Sequence, residues 1–290
     1  MVRLLRLAFL GLVFPAMCVA QGPPSSDIYL VPINPACSRL IAEKAINITK
    51  RDGYDNQPHF LPDGSLFYTS IREDNQADIY RYDPKTGTTE RVTRTAESEY
   101  SPTLMPDGRH FSAIRVEANN EQRLWQFELN GSSPKVLLET VKAVGYHAWF
   151  NPNRLGLFIV GNPHTLQLVS LGEEQPQKVL ENIGRCFSPI PGRPTISVVS
   201  KQDPNHWQLM EISADGSKTA LMTALPGSED YAWTPAGIVI MAQGKKIYRS
   251  TPLAESPWQP LADFSDADFQ QINRLAISKD GRTLAMVVAN

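Results

Sequence analysis

The chain has 290 residues, of which 42% are hydrophobic and 20% are charged. This balance excludes a disordered chain, because disordered segments have too few apolar residues to form a core. The formal net charge of −2 at pH 7 leaves no basic stripe for nucleic acid and no polybasic segment for an anionic membrane. The length suits two average domains or one large all-β domain.

The first twenty residues have the pattern of a secretory signal peptide. Arg3 and Arg6 form a short positive region, an apolar run covers residues 7–13, and the small residues Cys18 and Ala20 predict cleavage after Ala20. No later apolar run reaches the roughly eighteen residues of a transmembrane helix. The sequence therefore predicts a periplasmic or secreted protein without a transmembrane segment.

The next part of the chain alternates between strand-like segments and turns. Short strand-like segments at 27–30 and 46–49 are followed by a complete unit, in which a Pro-Asp-Gly turn at 62–64 precedes β-rich segments at 66–71 and 78–82. Alternation at period two predicts strands. Proline presets φ in such a turn, and glycine accepts the positive φ that joins two strands.

This unit recurs to the end of the chain. Pro-Asp-Gly returns at 106–108, and looser turns at 152–153, 191–192, 235–237 and 279–281 give intervals of 44, 46, 39, 44 and 44 residues. Such a period is typical of the four-stranded blades of a β-propeller. The sequence predicts an all-β fold, with residues 21–290 forming a single six-bladed propeller domain. Trp149 and Trp233, just before two of the turns, are predicted to pack between blades.

The two ends of the chain are predicted to share one blade. Only residues 282–290 follow the sixth turn, enough for one strand, while 27–30 and 46–49 copy the third and fourth strands of the first complete unit. N-terminal strands would then close the last blade and leave no exposed sheet edge. We expect a monomer.

The first two units resemble the TolB-type β-propeller repeat, whose blades run aromatic-Ser-Pro-Asp-Gly, then Asp-Ile-Tyr, then Leu-Thr. The matching segments are Phe-Leu-Pro-Asp-Gly at 60–64, Asp-Ile-Tyr at 78–80 and Val-Thr at 92–93. The resemblance implies a propeller over residues 27–290. We expect neither the N-terminal α/β domain of TolB nor the peptidase domain that accompanies related propellers.

Candidate site residues occur at the start of each innermost strand, shortly before each turn. In a propeller these starts meet at one mouth of the central channel, where polar groups from a rigid scaffold can form a binding site. The sequence has no nucleophile elbow, His-Glu-X-X-His motif or phosphate-binding glycine loop, so no catalytic residue, metal ligand or cofactor is assigned. The candidate binding residues are Asp55, Asn56, Glu99, Tyr100, Tyr146, His147, Arg185, Asp230, Asn273 and Arg274.

Three hypotheses remain open for this mouth. The first is a non-catalytic scaffold that binds a segment of an envelope protein or a small ligand, and Arg185 and Arg274 suit an anionic group. The second is a calcium-dependent hydrolase or lactonase, similar to six-bladed propeller lactonases, with carboxylate and amide ligands and His147 as a base. The third is a structural module of an envelope assembly. Nucleic acid is not an expected partner.

Overall fold

A computed structural model describes residues 23–72, 74–173, 175–252 and 256–290. Within these residues the chain forms β-strands throughout, apart from one 3-10 turn at Ala42–Lys44. No helix of this described part is long and apolar enough to cross a membrane. The predicted signal peptide at residues 1–20, with its cleavage point, lies outside the described residues.

One large sheet combines strands from both ends of the chain. Its order is β23-β24-β1-β3-β4-β5-β6, with β2 paired to β1 as a side branch. These strands are β1 (Ser26–Pro32), β2 (Ile46–Asn47), β3 (Tyr54–Phe60), β4 (Leu66–Ile71), β5 (Ala77–Asp83), β6 (Thr88–Arg91), β23 (Gln271–Ile277) and β24 (Thr283–Ala289).

Four further sheets have four strands each, and neighbouring strands follow one another in the chain. The first contains β7 (Ser98–Leu104), β8 (His110–Val116), β9 (Gln122–Glu128) and β10 (Lys135–Val136), and the second contains β11 (Val144–Asn151), β12 (Arg154–Ile159), β13 (Thr165–Ser170) and β14 (Gln177–Glu181). The third contains β15 (Ile183–Pro189), β16 (Ile196–Ser200), β17 (Gln208–Ile212) and β18 (Lys218–Thr223). The fourth contains β19 (Tyr231–Trp233), β20 (Val239–Gln243), β21 (Lys246–Ser250) and β22 (Gln259–Asp263).

The large sheet differs from the predicted set of six separate four-stranded sheets. Its two halves, β23-β24-β1-β2 and β3-β4-β5-β6, are each antiparallel, and one parallel residue pair, Ser26 with Tyr54, joins them. The link arises because Ser26 donates its backbone N–H to the carbonyl of Gly53 at 2.9 Å. The fold is therefore all-β, with the successive four-stranded antiparallel sheets of a β-propeller.

The predicted pairing between the chain ends is confirmed. β1 pairs antiparallel with β24 over seven residue pairs, from Ser26 opposite Ala289 to Pro32 opposite Thr283. Ile28 lies opposite Val287, and both side chains are fully buried. Pairing in the middle of a sheet satisfies the backbone groups that an edge strand would leave open.

The Pro-Asp-Gly turns have the geometry that their residues favour. Gly64 and Gly108 have φ of 87° and 67°, and each donates its backbone N–H to the carbonyl three residues earlier at 3.0 Å. Asp63 and Asp107 accept backbone hydrogen bonds from the residue two positions later. Glycine has no Cβ and adopts this positive φ without steric cost.

The hydrophobic core lies between neighbouring sheets. Phe67 of β4 contacts Phe111 of β8 edge-to-face with a ring-centroid distance of 5.0 Å, and Phe127 stacks on Phe111. Trp149 and Trp233 are buried in clusters that join adjacent sheets, so the prediction for these tryptophans is confirmed. This face-to-face packing holds the innermost strands around the centre of the molecule.

Candidate ligand-binding site in the central cavity

The first strand of every four-stranded unit contributes to one central cavity of about 240 Å³. These strands are β3, β7, β11, β15, β19 and β23, which are spread over the whole described chain. Segments so far apart in sequence can border one cavity only if the sheets are arranged around a common centre. The central cavity is therefore set by the fold as a whole rather than by a single loop.

Bulges change the direction of side chains along five of these strands. At Gln57 and Ser101 the backbone takes φ of 57° and 55°, and both residues lie within an irregular stretch of their strand. A bulge inserts an unpaired residue and so reverses the alternation of faces beyond it. The shifts lie between Asn56 and His59, Tyr100 and Thr103, Val144 and Tyr146, Ile183 and Phe187, and Ile272 and Arg274.

Two arginines and one carboxylate meet at the mouth of the central cavity. Arg185 donates from Nε and Nη2 to Oδ2 of Asp230, at 3.0 and 2.8 Å. Arg274 lies 3.8 Å from Oδ1 of the same carboxylate and 3.5 Å from the Tyr146 hydroxyl. Asp230 is thus shared unequally, with its short hydrogen bonds directed to Arg185.

The charge state of these groups follows from their surroundings. Burial opposes charge on Arg274, but Asp230 together with Tyr146 and Tyr54 raises the pKa of the guanidinium. Burial also opposes charge on Arg185, and Asp230 raises the pKa of that guanidinium. Burial also raises the pKa of Tyr54, against the influence of Arg274. At neutral pH both arginines are therefore cations and Tyr54 is an uncharged phenol.

An outer cavity of about 400 Å³ adjoins the same pair of arginines. We use this name for the space lined by Arg185, Arg274, Asp230 and Asn273 together with Lys201, Trp207, Glu229 and Gln271. Lys201 binds Glu229 at 2.7 Å and lies over the Trp207 ring. Arg185 and Arg274 line both cavities, so they stand at the boundary between them.

His147 lines the central cavity and also joins two sheets. Its Nε2 lies 2.6 Å from Oγ of Ser112 on β8, and that oxygen accepts a hydrogen bond from Nε1 of Trp149 at 3.0 Å. Burial, with a smaller contribution from His59, lowers the pKa of His147 to about 3. Burial lowers the pKa of His59 to about 4. Both imidazoles are neutral at physiological pH.

A second serine makes the same connection between two other sheets. Ser197 of β16 accepts hydrogen bonds from the Tyr231 hydroxyl and from Nε1 of Trp233, both at 2.8 Å. Tyr231 precedes Trp233 by two residues, just as His147 precedes Trp149, so the two residues occupy equivalent positions in their sheets. Because Tyr231 makes the same contact with Ser197, we interpret the Ser112–His147 contact as a link between sheets.

The structure brings six of the ten predicted site residues together. Tyr146, His147, Arg185 and Arg274 line the central cavity, and Asp230 and Asn273 line the outer cavity beside them. The other four, which are Asp55, Asn56, Glu99 and Tyr100, line neither of these two cavities.

Asp55 and Glu99 were predicted at the mouth but are fully buried within the sheets. Asp55 lies 3.6 Å from Arg51, and Glu99 accepts a 3.0 Å hydrogen bond from Nε of Arg115. Burial raises the pKa of both carboxyl groups despite these cations. Their side chains point away from the central cavity because the strands alternate faces before each bulge.

The residues at the mouth do not fit the predicted alternative of a calcium site. Across the described residues no group of three or more His, Cys, Asp or Glu side chains is placed to hold a metal ion. Calcium prefers six to eight oxygen ligands, whereas Asp55 and Glu99 are directed into the sheets and two arginines border the cavity. The donor set therefore favours an anion over a cation.

Sequence reasoning missed several residues in or beside the site. Ser112 and Ser197 reach their partners across a sheet boundary, about 35 residues away in sequence. The recurrence of His-Ala-Trp at 147–149 and Tyr-Ala-Trp at 231–233 was the available signal, because each follows its serine at nearly the same distance. Lys201 carried no repeat signal.

Comparison with known proteins gives structural likeness without sequence likeness. No protein-family profile matches the chain, and no curated protein matches it in sequence. A TolB structure from Agrobacterium tumefaciens is similar at a TM-score of 0.68 and 14% identity, covering 93% of this chain and 99% of that one. The fold is a TolB-like β-propeller.

Other propellers have comparable similarity. TolB from Acinetobacter baumannii matches at a TM-score of 0.57 and 16% identity over 91% of this chain, which spans 64% of that protein. A gluconolactonase from Xanthomonas campestris matches at 0.62 and 8% identity, covering 94% of this chain and 99% of that one. Identities this low establish a shared fold and no shared activity.

Proposed function

We propose that this chain is an exported, non-catalytic binding scaffold that takes a protein segment or a small ligand at the mouth of its central channel. The observation that carries the proposal is the convergence of polar side chains on one cavity. Tyr146, Arg185 and Arg274 come from three separate sheets and Asp230 directly precedes β19; they lie within hydrogen-bond or ion-pair distance of one another where the central and outer cavities adjoin. Convergent polar groups in a preformed concave site are the usual basis of ligand recognition.

The proposal includes six blades in a single domain over residues 21–290. The single parallel pair between Ser26 and Tyr54 divides the large sheet into two antiparallel groups of four strands. Together with the four separate sheets this makes six groups, and the first strand of each borders the central cavity. In this arrangement β1 and β2 close the last blade.

The proposed location is the periplasm or the exterior of the cell. It rests on the signal-peptide pattern of residues 1–20, with cleavage after Ala20. The partner would then be an envelope protein or a small molecule of that compartment. We do not extend the gluconolactonase activity of a structural neighbour to this chain, because the mouth is cationic and lacks a suitable set of metal ligands among the described residues.

A pair of tryptophan substitutions at opposite ends of β23 tests the proposal. Gln271 is exposed and lines the outer cavity, whereas Lys279 is exposed in the turn after β23, away from both cavities. Gln271→Trp should obstruct the mouth, and Lys279→Trp is its matched control. The wild type and both variants serve as baits in envelope extract, and captured proteins and co-eluting small molecules are identified by mass spectrometry.

We expect the wild type and Lys279→Trp to retain the same protein or small molecule and Gln271→Trp to lose it, with equal melting temperatures for all three. Retention by Gln271→Trp would contradict the mouth as the binding site. A wild-type protein that captures no protein and carries no small molecule would contradict a binding role altogether.

A further inference from the structure

The central cavity has a positive lining. Arg185 and Arg274 border it, and the lining residues identified in the described part of the chain include no aspartate or glutamate. His59 and His147 also border it, but their burial keeps both neutral at physiological pH. The nearest carboxylate, Asp230, faces the outer cavity instead. Asp230 can neutralise only one of the two arginines, and Glu229, 3.5 Å from Arg185, is itself paired with Lys201. A net positive charge therefore remains beside this partly enclosed space and favours an anion.

Three buried polar atoms on this lining have no hydrogen-bond partner within the protein. They are Oγ of Ser101, Nδ1 of His147 and Nε of Arg274, which come from β7, β11 and β23. Ser101 and His147 are 8% and 6% exposed, and the Arg274 side chain is 13% exposed. Buried polar groups are nearly always paired, because leaving one unpaired costs about 1–3 kcal/mol.

Two of these three atoms are hydrogen-bond donors. The Ser101 hydroxyl and Arg274 Nε carry hydrogens directly. Ser112 donates its hydrogen to the carbonyl of Thr103 at 3.3 Å, so His147 donates from Nε2 to Ser112 and its Nδ1 is an acceptor. The two donors belong to different sheets, so no local chain segment can satisfy them together.

Arg274 in particular is under-paired for a buried cation. It lies 3.5 Å from the Tyr146 hydroxyl and 3.8 Å from Oδ1 of Asp230, while Arg185 occupies Oδ2 of that carboxylate. A buried charge requires a partner with good hydrogen-bond geometry. The planar guanidinium is suited to a carboxylate, to which it can donate two hydrogen bonds.

We propose that the central cavity binds the carboxylate of a short organic acid or of a peptide, with Arg274 as its main partner. Arg185 adds positive charge, and Ser101 donates a hydrogen bond to a carboxylate oxygen. The proposal rests on the binding function proposed above and names the chemical class of the ligand. At about 240 Å³ the cavity is smaller than a typical site for a drug-sized molecule, so only a small acidic group enters it.

A carboxylate suits this lining better than a phosphate. A carboxylate has a single negative charge, which matches the net positive charge that Arg185 and Arg274 retain beside their shared carboxylate Asp230. A phosphate carries more negative charge at pH 7 than this excess can neutralise, and unneutralised charge is costly inside a cavity. Inorganic phosphate is therefore the discriminating control ion.

Calorimetric titration of the purified protein at pH 7 tests the ligand class. Succinate is compared with succinamide, which has the same length without charge, and with inorganic phosphate. A trialanine peptide with a free C-terminal carboxylate is compared with its amidated form, which distinguishes a small acid from a peptide as the source of the carboxylate. We expect binding of succinate, of the free peptide or of both, and no binding of succinamide, amidated peptide or phosphate.

Three single substitutions then locate the binding site. Arg274→Lys keeps the charge and removes the planar fork, and we expect at least tenfold weaker carboxylate binding. Ser101→Ala removes one donor without changing the backbone, and we expect a severalfold loss. Arg193→Gln is the control, because Arg193 is 53% exposed in its side chain and lines neither cavity. It should bind as the wild type does.

The ligand class is refuted if no carboxylate binds, if phosphate binds as tightly as the preferred carboxylate, or if Arg274→Lys and Ser101→Ala leave the affinity unchanged. If the cavity holds only water, no carboxylate binds. If capture by the wild type is still lost in Gln271→Trp, the proposed binding function stands and only the ligand class fails. If capture is unaffected by that substitution, the proposed function fails as well.

Discussion

Burial determines the protonation state of the histidines beside the central cavity. His147 packs against Trp149 and contacts Ser112, and its pKa falls to about 3. In the unfolded chain a histidine has a pKa near 6.5. The folded state therefore favours the neutral form, and stability from this residue is fully present above about pH 6.5 and is lost as the pH falls toward 3.

This linkage predicts the effect of His147→Tyr on acid stability. Between pH 7 and pH 5 the wild type should lose about 2 kcal/mol of unfolding free energy through His147 alone. The tyrosine variant should lose correspondingly less, because Tyr231 shows that a phenol can contact the equivalent serine. Urea unfolding at the two pH values measures the difference.

His206→Tyr is the control for that comparison, since His206 is 71% exposed in its side chain. It should leave the pH dependence of the wild type unchanged. Equal losses of stability in the wild type and His147→Tyr would show that His147 accepts a proton in the folded state.

The strand β1 is the element on which closure of the fold depends. It pairs with β24 over its full length and with β2 on its other side. Ile28 and Val31 of β1 are fully buried. Removing β1 would expose the backbone edge of β24 and the apolar side chains packed beneath it, and such an edge promotes association between chains.

Deletion of residues 27–50 should therefore abolish cooperative unfolding. The deletion removes β1 and β2 and keeps all later strands, but β23 and β24 are left as a sheet of two strands, which is too few for independent stability. A broad or absent calorimetric transition, with aggregation in size-exclusion chromatography, is the expected result. A truncated protein that melts sharply at the wild-type temperature would refute the dependence on β1.

At the scale of the whole molecule, the two ends of the described chain lie side by side. Asn290 donates its backbone N–H to the carbonyl of Ser25 at 3.3 Å, and its side-chain amide lies 3.2 Å from Asp27. Because these contacts already hold the two ends together, the fold does not require that the chain begin and end at this point. Nearby termini are the usual condition for tolerated circular permutation.

A circular permutant tests this view. Asn290 is joined to Ser25 by a short Gly-Ser linker, and new ends are opened between Lys85 and Thr86, which lie in an exposed turn. We expect cooperative melting within a few degrees of the wild type and unchanged carboxylate binding, because every strand pair and every cavity residue is retained. Failure of the permutant to fold would show that chain order, and not only contact between the ends, is required.

Sequence alone was sufficient for the repeat, its turns and the pairing of the chain ends. The turns and strands depend on local chemistry, such as the positive φ of Gly64 and the alternation of apolar and polar residues along a strand. The pairing of the chain ends follows from the similarity in sequence between residues 27–30 and 78–80. It also indicated Arg185, Arg274, Tyr146 and His147 for the cavity, because their distance from each turn places them at the start of an innermost strand.

Tertiary structure alone decided which candidates face the cavity and what they contact there. Regular alternation cannot reveal that bulges at Gln57 and Ser101 shift the strands by one residue, and a shift of one residue exchanges the two faces. For that reason Asp55 and Glu99 lie inside the sheets while Ser101 faces the cavity. Contacts between sheets, such as that of Ser112 with His147, depend on packing between distant segments, which no local pattern encodes.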